Sequence, residues 1–342
     1  IPPPSRHTPH RAMNPLVSVI IITYRQADTV GKAIESVLAQ QASFPFEIVI
    51  GEDGSGDATR QVCLDYARRY PEIVRLMPEA SNKGLVDNYF DTLLECRGEF
   101  VTDCAGDDRW SSPHKLERLV ALLRANPSAV VAASDWTIGD PACGGQRGSD
   151  HPATVFNMPP LVRGRDLLPL CLAHIDTLPY NLSASLYRRE ALMEAYRENP
   201  SMVRNKAFGC EDVPVLAALA SRGDAVWMRE PTLAYAVEEE SVSNTRDAAK
   251  LASFYLKSMH CTAVLARHYG VPEQTLSHFY ACKSRFCIAQ AFLSGDGSLR
   301  PAIREMLGEW SFRPDFSVML RWRLMNTPLW GMARLMQKKL AP

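Results

Sequence analysis

Residues 100–110, FVTDCAGDDRW, form the stretch from which the fold of this chain can be worked out. An apolar run broken by small residues ends there in two adjacent carboxylates, Asp107 and Asp108, and then in a tryptophan. Ser112 and Pro113 follow as a predicted helix start, with Ser at the N-cap and Pro at the first helical position. A carboxylate pair at the end of a strand suggests a metal and a phosphate ligand, although a solvated acidic turn has the same sequence.

On both sides of this stretch, short β-branched or apolar runs alternate with amphipathic segments. The predicted strands are residues 17–22, 46–50, 73–77, 100–103, 129–134, 178–188, 225–228 and 233–237. This alternation predicts an α/β fold, an open and mostly parallel Rossmann-like sheet with helices on both faces. After residue 244 the strand pattern stops, and residues 246–269, 272–293 and 301–310 predict a C-terminal helical subdomain.

Polar side chains follow four successive predicted strands. Tyr24, Asp53, Asn82 and Asp107 each lie just beyond the end of one of them. Ligands of open parallel sheets bind beyond the carboxyl ends of the strands, so these residues are expected to share one edge of the sheet. The sequence therefore predicts a binding site there.

Composition limits the classes of protein to which this chain can belong. Lys plus Arg and Asp plus Glu both number 38 among 342 residues, so no net charge attracts nucleic acid. Nine scattered cysteines predict free thiols in a reducing cytoplasm, and no apolar run is long enough to span a bilayer. We expect a disordered tail at residues 1–14, a catalytic domain at 15–245 and a helical region at 246–342.

Glycine-rich phosphate loops are absent from the sequence, so a bound nucleotide would need a cation to neutralise its diphosphate. Asp107 and Asp108 suit Mg²⁺ or Mn²⁺, which bind one or two carboxylates together with phosphate oxygens and water. Glu52 and Asp53 offer a second acidic pair that can accept hydrogen bonds from a base or ribose. Tyr24 can stack on the base.

Five segments together resemble glycosyltransferase family 2, whose members have the GT-A fold. They are VSVIIITYR, GEDGSGDATR, the turn Asn82-Lys83-Gly84, CAGDDRWSSPHKL, and GCEDVPVLAALASRGDAVW followed by LAYAVEEESVSN. The resemblance covers roughly residues 16–245 with order and spacing preserved, and the motifs are specific as a set.

The resemblance implies transfer of a sugar from a nucleotide-diphosphate donor, with UDP or dTDP favoured, to an acceptor hydroxyl with inversion. Donor-binding residues would be Thr23, Tyr24, Arg25, Glu52, Asp53, Asn82, Gly84 and Asp107. Asp107 and Asp108 would bind the metal, and Asp212, or its neighbour Glu211, would be the general base. The acceptor would be a glycan or a lipid-linked saccharide.

Three positions depart from the family pattern. Ala105 stands where the metal motif often has a further carboxylate, and Arg25 stands where asparagine is usual. Glu238 occupies a position that is histidine in many relatives, so it is a candidate replacement metal ligand.

Each site residue also has a structural interpretation. Tyr24 can be a core aromatic residue, and Glu52 and Asp53 can be turn formers. Glu211 and Asp212 can be acids that stabilise the start of a helix. Asn82 and Gly84 can shape a turn without contacting a ligand.

Residues 311–342 hold six Lys or Arg against one acid, interleaved with Trp and Met. This pattern predicts contact with a membrane surface or a helix packed on the protein, and the two interpretations stay open. We expect a cytoplasmic protein, in the first case peripheral to the inner face of the plasma membrane. Two further hypotheses are a degenerate transferase that binds donor without turnover, and a non-enzymatic acidic-pocket receiver module.

Overall fold

The computed structural model describes residues 14–79, 81–138, 146–151, 154–175, 178–236, 245–309 and 314–340. Its strands are β1 (Val17–Thr23), β2 (Phe46–Glu52), β3 (Val74–Leu76), β4 (Phe100–Asp103), β5 (Arg109–Trp110), β6 (Ala129–Ile138), β7 (Gln146–Arg147), β8 (Leu161–Val162), β9 (Ser185–Arg188) and β10 (Asp224–Tyr235).

The helices come in two groups along the chain. The first group is α1 (Val30–Leu38), α2 (Thr59–Arg69), α3 (Leu85–Leu94), α4 (Lys115–Ala125), α5 (Gly164–Leu172), α6 (Arg189–Glu198), α7 (Pro200–Val203) and α8 (Asp212–Ala220). The second group is α9 (Ala248–Tyr269), α10 (Ser277–Ser294), α11 (Arg300–Glu309), α12 (Phe316–Met325) and α13 (Trp330–Leu340).

All ten strands belong to one sheet with the order β3-β2-β1-β4-β9-β6-β10-β5, in which β7 pairs with β6 and β8 with β10. The pairs β1/β2, β1/β4, β2/β3 and β6/β10 are parallel, whereas β9 runs antiparallel to both β4 and β6. The predicted open, mostly parallel sheet with helices is confirmed.

The chain reverses its direction of strand addition next to β1. It adds β2 and β3 on one side of β1 and then returns to add β4 on the other side. Such a switch point opens a crevice at the carboxyl ends of the two strands that flank it. The topology therefore places the predicted site beyond the ends of β1 and β4.

Burial explains why β1 lies in the interior of the sheet. Five of its seven residues are apolar and β-branched, and Val17, Val19 and Ile21 are fully buried. Side chains that point to both faces must be apolar when helices cover both faces. On α1, Ala33, Ile34 and Val37 are also fully buried, which gives this helix its core-facing side.

Residue contacts divide the chain into two compact units. The first contains residues 1–162, 180–194 and 222–236, and the second contains residues 163–179, 195–221 and 237–342. The first holds the whole sheet, and the second holds α8 to α13. The predicted boundary near residue 245 stays a prediction, since the chain passes between the units several times.

Three local predictions were inaccurate. Helix α4 begins at Lys115 with His114 at the N-cap, so Ser112 is not the cap. The predicted strands at 225–228 and 233–237 form one strand, β10, whose pairing register shifts on both sides of Pro231. The predicted strand at 178–188 is reduced to β9, since residues 182–184 form a 3-10 helix.

In the parts of the chain that the structure describes, no helix combines the length and the apolarity needed to cross a bilayer. The cysteines among these residues, eight in number, are free thiols, and six of them are buried. They behave as small core residues.

Candidate active site

The carboxyl ends of β1, β2 and β4 are joined by backbone hydrogen bonds. The Asp53 amide donates to the Thr23 carbonyl over 3.1 Å, and the Gly106 amide donates to the Ile22 carbonyl over 3.1 Å. The predicted meeting of these loops at one edge is therefore observed. Gly106 fits there because a Cβ at this position would lie 2.8 Å from the Thr23 Cβ and 2.4 Å from the Gln26 side-chain oxygen.

The turn after β1 presents an aromatic ring. Tyr24 is 42% exposed, so its interpretation as a core residue is wrong. The Arg25 guanidinium lies 5.2 Å from the centre of the Tyr24 ring, and the Arg25 amide donates to the Ser55 hydroxyl. Arg25 has φ +53°, a left-handed conformation that costs a non-glycine residue about 1–3 kcal/mol and is concentrated at functional sites. Thr23 is buried and donates to the Gln26 side chain.

The acidic pair after β2 has structural partners. Glu52 is buried, accepts a hydrogen bond from the Ser55 amide and forms an ion pair with Arg60 at 3.4 Å. Asp53 is also buried, and its two carboxylate oxygens accept from the Lys83 and Gly84 amides, both over 2.9 Å. Both acids therefore organise turns, as the structural interpretation proposed, and each carboxylate oxygen keeps a second lone pair for a ligand.

The turn at residues 82–84 is fixed on Asp53. The Asn82 side-chain amide donates to the Asp53 carbonyl over 3.1 Å. Gly84 has φ +90° and ψ 160°, a combination that is essentially restricted to glycine, and it directly precedes α3. Asn82 and Gly84 thus shape the loop that holds the Asp53 carboxylate.

Replacing Gly84 by Ala should destabilise the protein by about 1–3 kcal/mol, because the backbone would have to leave this conformation. A Cβ at Gly84 would meet no atom within 4 Å, so the cost comes from the backbone alone. Urea denaturation followed by tryptophan fluorescence measures it. Gly56→Ala is the matched control, since Gly56 is equally open and lacks a left-handed φ. An equal loss in both variants would contradict the prediction.

Asp107 and Asp108 differ in their surroundings. Asp107 is half-buried, whereas Asp108 is buried and its Oδ1 accepts from the Ala236 amide over 3.1 Å. Asp108 Oδ2 is buried and makes no hydrogen bond of standard geometry to the described residues, although the Ser183 hydroxyl and the Lys115 ammonium are close enough to the carboxylate to lower its pKa. Burial raises the pKa of Asp108 to about 7, and the neighbouring negative charge of Asp107 adds to the rise.

These two carboxylates fit a divalent cation. An unpartnered buried carboxylate oxygen is costly unless a proton or a cation compensates it. The described residues contain no cluster of three or more His, Cys, Asp or Glu at metal-binding distance, so other ligands would be phosphate oxygens and water. This is the usual coordination of Mg²⁺ at nucleotide sites. The candidate ligand Glu238 lies outside the described residues.

A buried lysine beneath the acidic motif was not foreseen. The Lys115 ammonium lies 3.9 Å from the centre of the Trp110 ring and donates to the Ser183 carbonyl. Burial lowers the pKa of Lys115 to about 7 and raises the pKa of Asp103 to about 7. The attraction between the ammonium and the carboxylate opposes both shifts. Trp110 is buried, so it packs under the loop. No periodicity marks Lys115 as buried, since it opens an ordinary amphipathic helix.

The second compact unit carries the candidate base. Asp212 is the first residue of α8, is half-buried, and its Oδ1 accepts from the Val213 amide over 2.7 Å. Glu211 occupies the N-cap position without a side-chain capping bond. Both acids therefore lie at a helix start, as the structural interpretation proposed, and the Glu211 side chain does not cap it.

His174 is a neighbour of Asp212 that the sequence did not reveal. Its Nδ1 lies 3.0 Å from the Cys171 carbonyl, which can only accept, so Nδ1 carries a proton. Burial lowers the pKa of His174, and attraction to the Asp212 carboxylate opposes that effect. The two residues are far apart in sequence, which leaves no local signal for their proximity.

Known proteins provide an independent comparison. A profile of the family described as Glycosyl transferase family 2 matches residues 18–194. The chain is 30% identical over 201 residues to the uncharacterized glycosyltransferase alr2836 of Nostoc sp., covering 57% of each chain. It is 36% identical over 115 residues to the uncharacterized protein Rv1520 of Mycobacterium tuberculosis, covering 34% of this chain and 33% of the relative. The chain thus spans between a third and somewhat more than half of these relatives.

Two solved structures have the same fold. S. aureus TarS 1–349 in complex with UDP-GlcNAc gives a TM-score of 0.60 at 17% identity, covering 93% of this chain and 87% of that chain. The mannosyltransferase PcManGT from Pyrobaculum calidifontis, in complex with GDP-Man and Mn²⁺, gives 0.53 at 17% identity, covering 96% and 85%. The GT-A fold predicted from the resemblance is confirmed.

Proposed function

Because the chain belongs to glycosyltransferase family 2, we propose that it transfers a sugar from a nucleotide-diphosphate donor to an acceptor hydroxyl with inversion. The observation that carries the proposal is the shared edge at the switch point, where Tyr24, Asp53 and Asp107 follow the ends of β1, β2 and β4. A chain of this family with this ten-stranded sheet is not a receiver module.

The proposed donor site uses the loops at that edge. The exposed ring of Tyr24 would stack on the base, with UDP and dTDP sugars favoured. Glu52 and Asp53 would accept hydrogen bonds from base or ribose with their remaining lone pairs. Thr23, Arg25, Asn82 and Gly84 would hold these groups in position, which agrees with their contacts to the same turns.

Asp107 and Asp108 are the proposed ligands of Mn²⁺ or Mg²⁺. Such a cation supplies neutralisation of the negative charge that grows on the leaving diphosphate. The buried, unpartnered Oδ2 of Asp108 and the half-buried position of Asp107 support this assignment. Mn²⁺ accompanies GDP-Man in the PcManGT structure, which supports the same choice of metal class.

Asp212 is the proposed general base, with Glu211 as the alternative. A hydroxyl is a weak nucleophile, and a carboxylate within hydrogen-bond reach removes its proton as the new bond forms. Attack from the face opposite the leaving diphosphate inverts the anomeric carbon and needs no covalent enzyme intermediate. His174 lies close enough to the Asp212 carboxylate for the two side chains to interact electrostatically.

A second candidate function is donor binding without turnover. Ala105 removes a carboxylate from the acidic motif, and one oxygen of Asp108 is engaged by the Ala236 amide. A weakened metal site would bind a nucleotide sugar yet stabilise the leaving group poorly. Hydrolysis or transfer of the donor separates this candidate from the transferase.

The proposed acceptor is a glycan or a lipid-linked saccharide, used at the cytoplasmic face of the membrane. Inversion requires the acceptor hydroxyl to attack from the side of the sugar opposite the diphosphate. No nucleic acid is expected as a partner, since the chain has no net positive charge.

Adding the correct nucleotide sugar with Mn²⁺ should stabilise the protein by about 2.7 kcal/mol at a hundredfold excess over Kd. Thermal-shift measurements with UDP, dTDP and GDP sugars, each with Mn²⁺, Mg²⁺ or EDTA, would reveal it. The matched control is the free sugar without nucleotide, which should leave the melting temperature unchanged. If no nucleotide sugar shifted the melting temperature under any metal condition, the donor site would be rejected.

A further inference from the structure

Exposed apolar side chains concentrate at one part of the second compact unit. Among the residues that the structure describes, six of the twelve exposed large apolar side chains lie between residues 316 and 336. They are Phe316, Leu320, Leu329, Met332, Leu335 and Met336, and together with Arg321 and Arg323 we call them the basic apolar face. We propose that this face binds the surface of a bilayer that contains anionic lipids.

The apolar residues of the basic apolar face follow helical spacing. On α12, Phe316 and Leu320 are four residues apart, and on α13, Met332 is followed by Leu335 and Met336 at three and four residues. These spacings place each set on one side of its helix. Phe316 is 82% exposed, which is unusual for a phenylalanine and leaves its ring available for insertion between lipid headgroups.

The opposite sides of the two helices are anchored in the protein. On α12, Val318 and Met325 are buried. On α13, the Trp330 ring nitrogen donates to the Phe292 carbonyl over 3.0 Å, and the Arg334 guanidinium donates to the Ser294 carbonyl over 2.9 Å. The exposed apolar side chains are therefore held outward by a packed scaffold, and the face exists before any partner binds.

Phe286 on α10 extends the apolar surface toward α12. A groove with a volume of about 610 Å³ is lined by Phe286, Ala289, Phe316 and Arg321, together with Ser317 and the ion pair of Asp315 with Arg285. An aromatic pair beside a guanidinium suits an acyl chain together with its anionic headgroup.

The positive charge of the C-terminal segment indicates that the lipids are anionic. Residues 311–342 contain six of the 38 basic residues of the chain but only one of its 38 acids, Asp315. Asp315 caps α12 through the Val318 amide, and its carboxylate forms an ion pair with Arg285 at 2.7 Å. The ion pairs of the described residues do not include Arg321 or Arg323, so their charges are available to an anionic headgroup. Arg321 lines the groove with Phe316, and Arg323 is exposed on the same helix.

A second copy of the chain fits this surface less well. A two-fold dimer places the same patch of both copies together, so it would bring the Arg321 and Arg323 guanidinium groups of both copies into one interface. No unpaired acid of the patch would compensate them, whereas an anionic bilayer supplies the opposite charge. Helix α13 is a short amphipathic helix, which is typical of interfacial binding. Neither α12 nor α13 is long enough to span the membrane.

Binding to a bilayer would bring the protein to the proposed lipid-linked acceptor, so the biological role of this contact rests on the proposed function. Its test does not measure transfer, so the two can fail separately. Vesicle binding without transfer would reject the proposed function and leave the bilayer contact in place. Transfer to a soluble acceptor without vesicle binding would do the reverse.

Co-sedimentation of the full chain with vesicles tests the proposal. Vesicles of phosphatidylcholine with about 30% phosphatidylglycerol should bind the protein at least about tenfold more tightly than phosphatidylcholine alone. The double substitution Arg321→Gln and Arg323→Gln should weaken binding about 25-fold, at about fivefold for each charge removed near an anionic surface. Raising the salt to about 0.5 M should weaken it as well, since screening shortens the reach of the charges.

Met332→Glu with Met336→Glu should weaken binding at least about tenfold, because both side chains would carry charge into the interface. The matched control is Leu94→Glu with Leu161→Glu, two exposed leucines of the first compact unit, which should bind vesicles like the wild type. Equal melting temperatures of the four proteins establish that all fold.

Three results would overturn the proposal. The first is no sedimentation with anionic vesicles, and the second is equal binding by the wild type and the Met332→Glu, Met336→Glu variant. The third is a dimer in analytical ultracentrifugation without lipid that these same substitutions dissociate. That last outcome would assign the basic apolar face to a second copy.

Discussion

Replacing Asp212 by Asn should lower the rate of sugar transfer by about 10²–10⁴-fold while leaving donor affinity unchanged. The amide cannot accept the acceptor proton, although it has nearly the same shape as the carboxylate. Its oxygen can still accept from the Val213 amide, so the start of α8 should be retained. Initial rates at saturating donor and acceptor, combined with donor titration calorimetry, would separate the chemical effect from binding.

Two further variants make this test specific. Asp166→Asn is the matched control, because Asp166 is an exposed acid in the first turn of α5 and should leave transfer unchanged. Glu211→Gln decides between the two candidate bases. If Glu211→Gln abolished transfer and Asp212→Asn did not, the base would be Glu211. Full activity in both variants would remove this acidic pair from the mechanism.

Replacing Asp107 by Asn should abolish metal-dependent donor binding and lower transfer by about 10²–10³-fold, since the cation provides several kcal/mol of charge stabilisation. Asp107 is the more accessible of the two proposed ligands, so its loss removes a metal contact with little effect on packing. Donor affinity and rate would be measured across a range of Mn²⁺ and Mg²⁺ concentrations, with EDTA as the metal-free reference.

Ala105→Asp tests the same site in the opposite direction. It restores the carboxylate that the family pattern has at this position, so half-maximal activation should need about tenfold less Mn²⁺. Ala105 is only partly buried, so the position is accessible to solvent. Asp65→Asn, at an exposed acid of α2, serves as the control and should not change metal dependence. Unchanged metal dependence in both Asp107→Asn and Ala105→Asp would exclude a metal at this motif.

Much of the fold followed from local patterns. The apolar β-branched run of β1, the acidic turn after β2 and the stretch at 100–103 each marked a strand within one or two residues of its observed bounds. Predictions were less accurate in regions where the sequence pattern is weaker. Strand β10 was predicted as two strands because Arg229, Glu230 and Pro231 interrupt its apolar run, yet a bulge lets the strand continue.

The meeting of the loops that carry the candidate residues was predicted from the sequence, whereas the surroundings of each side chain were not. Tyr24, Asp53 and Asp107 were assigned to one edge from strand order alone, and the loops after β1, β2 and β4 do meet there. The sequence did not show which of Asp107 and Asp108 is buried, since two adjacent acids give the same local pattern. Only Asp108 is buried, because its carboxylate accepts from the amide of Ala236, 128 residues further along.

The sequence by itself therefore determined the family, the mostly parallel sheet and the edge at which the loops of the proposed site meet. Strand and helix periodicity depend on neighbours within a few residues, so these features can be inferred locally. Only the tertiary structure decided which polar groups lose contact with water. Lys115 is buried because its ammonium reaches the carbonyl of Ser183, 68 residues away, and such distant partners leave no trace in the local pattern.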